Sequence, residues 1–529
     1  MPYDSPLFSV LVIAMIATGV LASARSAAAT APCTLATFET LNLPETTIML
    51  VESLPAGTNL APVGNIALPI CRVRGVIAPA NLFEVWMPTV DWNGKFQAVG
   101  NGGLAGSISF GDMRTAVNRN YATASTDTGH SSNAPGDPWW TNAQQIKDYG
   151  YRSIHELTVN SKAIINAYYG ADPDRSYFVG CSTGGRQAFM EAQRYPEDYD
   201  GIIAGAPVYR VIELRARHVW TWQCNHADPS GERAIPVSKL PTIFKAVVAA
   251  CDHLDGLVDG QVDDPRRCRF EPKTLLCTDA DNDTCLTAPQ IETLNCMYAG
   301  PPVNPRTRRQ VYPGVPRTSE LDQAQSIGAV PNPQYTTFFQ NTVFEDPNYD
   351  FLTFKFDADV KFALNKEFEG ETLEYIHHAE DPDLTAFKKR GGKMIVWHGF
   401  SDPLPNPVDT IDYYNSIRTR SGHSRRHAEK TEEFVRLFLL PNVGHCGGAA
   451  AGGPNMWDPL TALEQWVEEG IAPEEIIASR VTDGVVTRMR PICSYPQVAR
   501  YVGSGSIDDA ANFVCREPRD RNRQHDDKP

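Results

Sequence analysis

Among its twelve cysteines the 529-residue chain has no C-x-x-C pair, which leaves a zinc ribbon or a redox dithiol without its usual ligands. No long basic block offsets a formal charge of -15, and that excludes nucleic acid and an anionic membrane surface as partners. Nothing after Leu21 is apolar for the ~20 residues that a membrane span needs. No internal repeat is present. Lys and Arg are also missing from Met1 to Pro6.

What is present begins with an apolar run, Leu7 to Leu21, followed by small residues and A-x-A-like sites at Ala22/Ala24 and Ala27/Ala29. This pattern reads as a signal peptide over residues 1–29; the alternative is an uncleaved anchor, for which the run is short. An even cysteine count agrees with export and a disulfide framework. The expected location is secreted or periplasmic, with no membrane contact after cleavage. Hydrophobic residues make up 42% and charged residues 21%, an ordinary globular balance. The length calls for a main domain plus a second domain or a large insertion.

From Leu82 to Gly100 two β-prone runs flank the turn-like DWNGK, which predicts a pair of strands. The glycine loop GNGGLAG, Gly100 to Gly106, follows, and Tyr121 to Asp127 reads as a further strand. Tyr151 to Tyr169 has helical apolar spacing and stops at Gly170. DPDRSYFVG, GCSTGGRQAFMEAQRYPEDYDG and GIIAGAP then read as strand, turn into helix, and strand. The alternation breaks from about Val208 to Ala386 and resumes with GGKMIVWHG, a helix near Val408 to Ile417, the strand EFVRLFLL and the helix TALEQWVEEG. Recurrent strand–helix alternation predicts a parallel sheet covered by helices. The expected organisation is an α/β core over residues 30–208 and 386–515, a lid insertion over 209–385, and a charged, frayed tail over 516–529.

The sharpest motif is Gly180-Cys181-Ser182-Thr183-Gly184. It fits G-x-S-x-G between a buried strand and a helix, the setting that exposes a nucleophilic serine on a strained turn. Such a hydroxyl needs a base to take its proton. In chain order an acid and a histidine should follow. Asp402, just past MIVWHG, and His445, just past FVRLFLL, both fall where a parallel sheet presents residues at its carboxyl edge. Asp409, Asp412, His398 and His130 are their rivals. Cys181 and Cys446 each adjoin a member of this set, so an assembled triad would bring them within disulfide reach. Oxyanion donors are expected from the N–H of Thr183 and from Gly102 or Gly103. The glycine loop is not a dinucleotide fingerprint, since neither a helix nor an acidic ribose ligand follows it.

A second constellation lies in the insertion, CDHLDGLVDGQ from Cys251 to Gln261. Side chains of Asp252, Asp255 and Asp259, with backbone carbonyls of Leu257 and Gln261, suit a hard cation such as calcium. It is not an EF-hand, and an acidic surface turn is the alternative. Cys251 and Cys268 bracket it and could staple it. The run Asp279-x-Asp281-x-Asp283 lies between Cys277 and Cys285 and reads as a closed surface loop. Trp220, Trp222, Phe338, Phe339 and Phe344 are candidates for an aromatic pocket or for lid core.

Taken together, GNGGLAG, GCSTGGRQ, CDHLDGLVDG, WHGFSDP and GHC resemble the tannase and feruloyl esterase family, which includes mono(2-hydroxyethyl) terephthalate hydrolases, from about Cys33 to Cys515. The resemblance implies an α/β-hydrolase fold with a large inserted lid and a Ser182–His445–Asp402 triad. It implies a structural Ca2+ in the lid on Asp252, Asp255, Leu257, Asp259 and Gln261. Disulfides would be Cys181–Cys446, Cys33–Cys71, Cys251–Cys268, Cys277–Cys285 and Cys493–Cys515; Cys224 and Cys296 remain for each other by elimination only. The implied activity is serine carboxylic-ester hydrolysis of small aromatic esters, free or borne on plant polysaccharide. Thr183 stands where the terephthalate enzymes resemble GCSEGG, so feruloyl and other hydroxycinnamoyl esters lead. Galloyl esters or terephthalate monoesters are alternatives, as is a non-catalytic ligand-binding relative.

Overall fold

The computed structural model describes residues 30–518 apart from 61–63, 227, 229, 231–232, 303–309, 421–424 and 448–451. The leader expected over residues 1–29 and most of the tail expected from Arg516 lie outside the described residues.

Nine strands form the central sheet: β1 (Thr46–Leu54), β2 (Ile70–Ile77), β3 (Asn81–Pro88), β4 (Lys95–Val99), β5 (Ala122–Thr126), β6 (Arg175–Cys181), β7 (Gly201–Gly205), β8 (Lys393–Gly399) and β9 (Val435–Leu440). Their spatial order is β1-β2-β3-β5-β4-β6-β7-β8-β9. The pairs β1–β2, β2–β3 and β3–β5 are antiparallel. From β5 to β9 every pair is parallel. This is the mixed sheet of an α/β-hydrolase fold. The runs around DWNGK do form two strands, β3 and β4, but β5 lies between them. A helical crossover, Phe110–Val117, returns the chain to that slot.

Both faces of the parallel part are buried, which is why its strands read as continuous apolar runs rather than as alternation. Ile202, Met394, Val396 and Leu437 belong to one core layer. Ile203, Ile395, Trp397 and Phe438 belong to the other. Helix α1 (Ser153–Tyr169) ends at Gly170, whose φ of 71° is the left-handed conformation glycine supplies cheaply. Helix α2 (Thr183–Arg194) follows β6 directly.

Strands β7 and β8 are hydrogen-bonded neighbours, with Ile202 opposite Met394. The chain therefore leaves the sheet after Gly205 and rejoins it at Lys393. The intervening segment carries α3 (Val211–His226), α4 (Leu240–Cys251), α5 (Ala288–Ala299) and α6 (Pro333–Phe338). Short helical turns dominate the rest of it, so no helical or strand period persists in its sequence. It has one apolar cluster of its own, shares a second with Leu104, Trp139, Trp140, Ile146 and Tyr149, and carries three disulfides, Cys224–Cys296, Cys251–Cys268 and Cys277–Cys285. Phe338 and Phe339 are core residues of this insertion, with Trp220, Trp222 and Phe344 packed against them.

After β8 come α7 (Pro407–Thr419) and, beyond β9, α8 (Pro459–Glu469), which inserts Leu463 and Trp466 into the second core layer. Two ribbons close the described chain, β10 (Glu475–Thr482) with β11 (Val485–Cys493), and β12 (Val498–Tyr501) with β13 (Phe513–Arg516). Disulfides Cys493–Cys515 and Cys33–Cys71 secure the two ends. Among the described residues no helix is long and apolar enough to cross a membrane.

Candidate active site

Ser182 sits between β6 and α2 with φ 63° and ψ −119°. A non-glycine residue at positive φ costs about 1–3 kcal/mol and persists only where its surroundings enforce it. Its N–H donates to the Gly205 carbonyl of β7 at 2.9 Å, and its own carbonyl accepts from Arg186 at 3.1 Å in the first turn of α2. The glycines permit the close approach that this turn requires. A Cβ on Gly180 would stand 2.5 Å from the Gly184 carbonyl oxygen, and one on Gly185 would stand 2.4 Å from that of Gly205.

Asp402, in the loop after β8, is fully buried. Its Oδ2 accepts from His445 Nδ1 at 2.7 Å and from His398 Nε2 at 3.2 Å, while Oδ1 accepts the Leu404 N–H at 2.8 Å. Burial opposes the carboxylate charge. The two imidazoles, by charge and hydrogen bond, outweigh it and hold the pKa down to about 2. With Nδ1–H committed to Asp402, a neutral His445 ring offers Nε2 as its acceptor. His398 is fixed from its other side, where Nδ1 lies 2.8 Å from Thr410 Oγ1. The acid loop is pinned by buried Arg217 of α3, which donates to the carbonyls of Pro403 and Leu404. It is tied to the histidine loop by Ser401 N–H on the Val443 carbonyl at 2.9 Å.

Cys181 and Cys446 form a disulfide with Cα atoms 5.9 Å apart. It fastens the end of β6 to the loop of His445. Ser182, Thr183, Gly103 and His445 line one pocket, walled by Leu104, Tyr149, Val208, Val211, Leu214 and Tyr335. Gly102 is not among its lining residues. The Gly103 carbonyl accepts from Thr183 Oγ1 at 2.6 Å and from the Tyr149 hydroxyl at 3.2 Å, which fixes the glycine loop against the elbow. None of the five lid aromatics named as pocket candidates lines it. They belong instead to the apolar cluster that the insertion shares with Trp139, Trp140 and Tyr149, and the walls come from α3 and α6 together with Leu104, Tyr149 and Val208. A larger cleft lies between the aspartate loop and β11, lined in part by Phe400 and Tyr495, and it contains neither Ser182 nor His445.

The rival residues are occupied elsewhere. Asp409 pairs with Arg210, and His130 is stacked on Trp139 with Nε2 on the Leu104 carbonyl at 2.8 Å. Asp412 is one helical position from the Ile411 core contact and has no bond to Asp402 or His445 among the described residues. His398 alone among them reaches Asp402, and it does not line the pocket.

In the aspartate loop, Asp252 accepts the N–H groups of Asp259 and Gly260 at 3.2 and 3.0 Å. Asp255 accepts that of Leu257 at 2.8 Å, and Asp259 that of Gln261 at 3.1 Å. Asp259 also pairs with Arg490 of β11. Asp263, which the motif did not single out, joins Asp255. Burial, together with repulsion from the neighbouring carboxylates, pushes both upward, Asp255 to about 6. Gln261 is buried and its Oε1 has no partner. The oxygen-rich donor set, with one amide oxygen orphaned, is the kind a hard divalent cation takes, but the structure does not draw the carboxylates of Asp252, Asp255 and Asp259 together into one cluster. The loop also reaches the candidate active site: Asn442, three residues before His445, donates to the Gly260 carbonyl at 2.9 Å and accepts the Val262 N–H at 3.2 Å. Cys277 and Cys285 are bonded to each other, and Asp281 between them pairs with Lys239.

Sequence reasoning did not reach His398 as a partner of the acid, nor Arg217, Asn442 or Asp263. The four-residue spacing of His398 and Asp402 in WHGFSD was the available signal for the first; the others depend on contacts between distant segments.

A family model described as tannase and feruloyl esterase matches residues 65–516. An uncharacterised esterase of Xanthomonas campestris is 39% identical, covering 96% of this chain and 94% of its own. A mono(2-hydroxyethyl) terephthalate hydrolase of Piscinibacter sakaiensis is 34% identical over 85% of each chain. The crystal structure of feruloyl esterase B from Aspergillus oryzae superposes with a TM-score of 0.81 at 27% identity, covering 90% of this chain and 98% of that one.

Proposed function

Because the chain belongs to the tannase and feruloyl esterase family, and is a carboxylic-ester hydrolase on that footing, we propose that it is an exported serine esterase cleaving esters of aromatic acids, hydroxycinnamoyl esters foremost, through an acyl-enzyme. The observation that carries this reading is the convergence of Ser182, Thr183 and His445 on one pocket with Asp402 bonded behind the imidazole.

In the proposed sequence His445 Nε2 takes the Ser182 proton as Oγ attacks the ester carbonyl, and Asp402 stabilises the imidazolium that forms. The N–H of Thr183 and one from the glycine loop near Gly103 receive the oxyanion. Collapse expels the alcohol, protonated by His445. Water then attacks the acyl-enzyme with the same imidazole as base, and the free acid leaves. The strained φ of Ser182 and the helix start behind it supply a preformed geometry, so little reorganisation accompanies attack.

The aspartate loop would hold calcium through Asp252, Asp255, Asp259 and the carbonyls of Leu257 and Gln261. A bound divalent cation would neutralise the crowded carboxylates and stiffen the loop. Asn442 would pass that rigidity to the segment of His445. Six disulfides support export to an oxidising compartment.

Initial rates on methyl ferulate, methyl gallate and a terephthalate monoester, measured side by side, test the substrate class. Highest kcat/KM on the ferulate is expected. A preference for the gallate would replace this reading with tannase activity, and no turnover of any of the three would overturn it.

A further inference from the structure

His398, the penultimate residue of β8, is fully buried beneath the acid loop. The chain turns back over it, with the Asp402 N–H on the Gly399 carbonyl at 3.2 Å, and this brings the Asp402 carboxylate onto the imidazole four residues earlier. A carboxylate only accepts, so the 3.2 Å contact between Nε2 and Oδ2 places a ring proton on Nε2. On the far side Nδ1 meets the hydroxyl of Thr410, itself buried in α7, at 2.8 Å. Both ring nitrogens are engaged, and the ring is fixed between α7 and the acid.

Closing the loop does not need this imidazole. The N–H groups of Phe400 and Ser401 bond the carbonyls of Leu440 and Val443, each at 2.9 Å. What the imidazole adds is a second donor on the oxygen that serves His445. Oδ2 takes His445 Nδ1–H at 2.7 Å and His398 Nε2–H at 3.2 Å, while Oδ1 is held separately by the Leu404 N–H at 2.8 Å. The plane of the carboxylate is thus set from the side of the sheet, independently of the His445 loop. A donor on Oδ2 also withdraws part of the negative charge that stabilises the His445 imidazolium. A further proton on His398 would act in the same direction, by repulsion between the two rings. The other charged or titratable groups whose fields reach Asp402 or His445 are Arg217 and His218 of α3, with Asp322 and Tyr335 of the insertion. Among the described residues none of these four bonds to either Asp402 oxygen.

Resting on the esterase reading above, we propose that His398 is a positioning residue of the triad: its Nε2–H aims Asp402 Oδ2 at His445 and shares that oxygen's charge, and so limits how tightly His445 holds its proton. It does not line the pocket and acts only through the acid.

Two substitutions separate its two bonds. His398→Asn places an amide nitrogen where Nδ1 sits, within reach of Thr410 but not of Asp402. His398→Gln places one where Nε2 sits and keeps the donor on Asp402. The pH dependence of kcat/KM on p-nitrophenyl acetate reports the protonation of His445 in the free enzyme. In His398→Asn its acid limb should move up by about 1 pH unit with KM little changed, and in His398→Gln it should return to within about 0.3 unit of the wild type. A residue that merely filled space would lower kcat at every pH in both variants and leave the limb where it was. An unmoved or lowered limb in a folded His398→Asn, or an equal upward shift in His398→Gln, overturns the proposal. Should His398→Asn not fold, low-field proton NMR of the wild-type enzyme decides: two imidazole N–H protons bonded to Asp402 are expected, and one alone, from His445, overturns it. A wild-type enzyme that turns over no ester sinks the esterase reading instead, a result distinct from a limb that stays in place.

Discussion

Removing the Cys181–Cys446 disulfide should cost far more activity than structure. The bond spans 265 residues, and the Cys224–Cys296 bridge within it shortens the effective loop to roughly 190. In the loop-entropy treatment that closure is worth about 5 kcal/mol. For a chain of this size the unfolding entropy is so large that the loss lowers Tm by only about 5 °C. Locally the effect is larger. Cys446 holds a left-handed conformation, φ 53°, directly after His445, and the bond anchors that loop to the residue before Ser182. With it gone, the imidazole keeps its bond to Asp402 and its segment keeps the Ser401–Val443 and Asn442–Gly260 contacts, all of them before or beside His445 and none after it, and a shift near 1 Å is enough for a loss of about 100-fold. The double variant Cys181→Ala/Cys446→Ala, and separately titration of the native enzyme with a reductant, should therefore show kcat falling well before near-UV ellipticity. Parallel loss of the two signals, or full kcat in the double variant, would refute the reasoning.

Asp402→Asn should reduce kcat by about 10⁴, as for the buried acid of other triads, with a small change in KM. The lowered pKa of Asp402 makes its stabilising contribution fully present above the ordinary carboxylate range near 4; it is lost as pH falls through about 2. At roughly 2 kcal/mol, it should appear in urea unfolding as an acid limb that is flatter in the asparagine variant. Chelation of divalent metal should lower Tm, with about 2.7 kcal/mol at stake if calcium is present at 100 times its Kd; added Ca2+ should restore Tm and the kcat lost through the Asn442 link. Gly180→Ala drives a Cβ onto the Gly184 carbonyl at 2.5 Å and should destabilise the fold by about 3 kcal/mol in chemical denaturation, with activity falling further.

The parts of the fold that a sequence displays are those set by local chemistry. G-x-S-x-G, its two buried flanking strands and the stop at Gly170 follow from steric and burial rules acting within a few residues. Asp402 and His445 were legible because a parallel sheet presents functional residues beyond the ends of its strands, and both follow such strands. The order of the strands was not legible. DWNGK looks like a link between partners, and nothing in it records that the crossover helix delivers β5 into the gap. The pocket walls were also hidden. Aromatic residues in the insertion drew attention by size, yet burying them against one another releases more apolar surface than lining a cleft would. The less conspicuous Val211, Leu214 and Arg215, on successive turns of α3, face the serine. His398 and Asp263 matter through partners brought in by the fold.

The account rests on Ser182 being acylated with His445 as its base. Rapid mixing with a p-nitrophenyl ester, followed by peptide mass spectrometry of the quenched enzyme, tests that most directly. A burst approaching one p-nitrophenol per enzyme molecule and an acyl mass on the peptide containing Ser182 are expected, both lost in Ser182→Ala. Turnover without an adduct, or an unchanged burst in that variant, would contradict it.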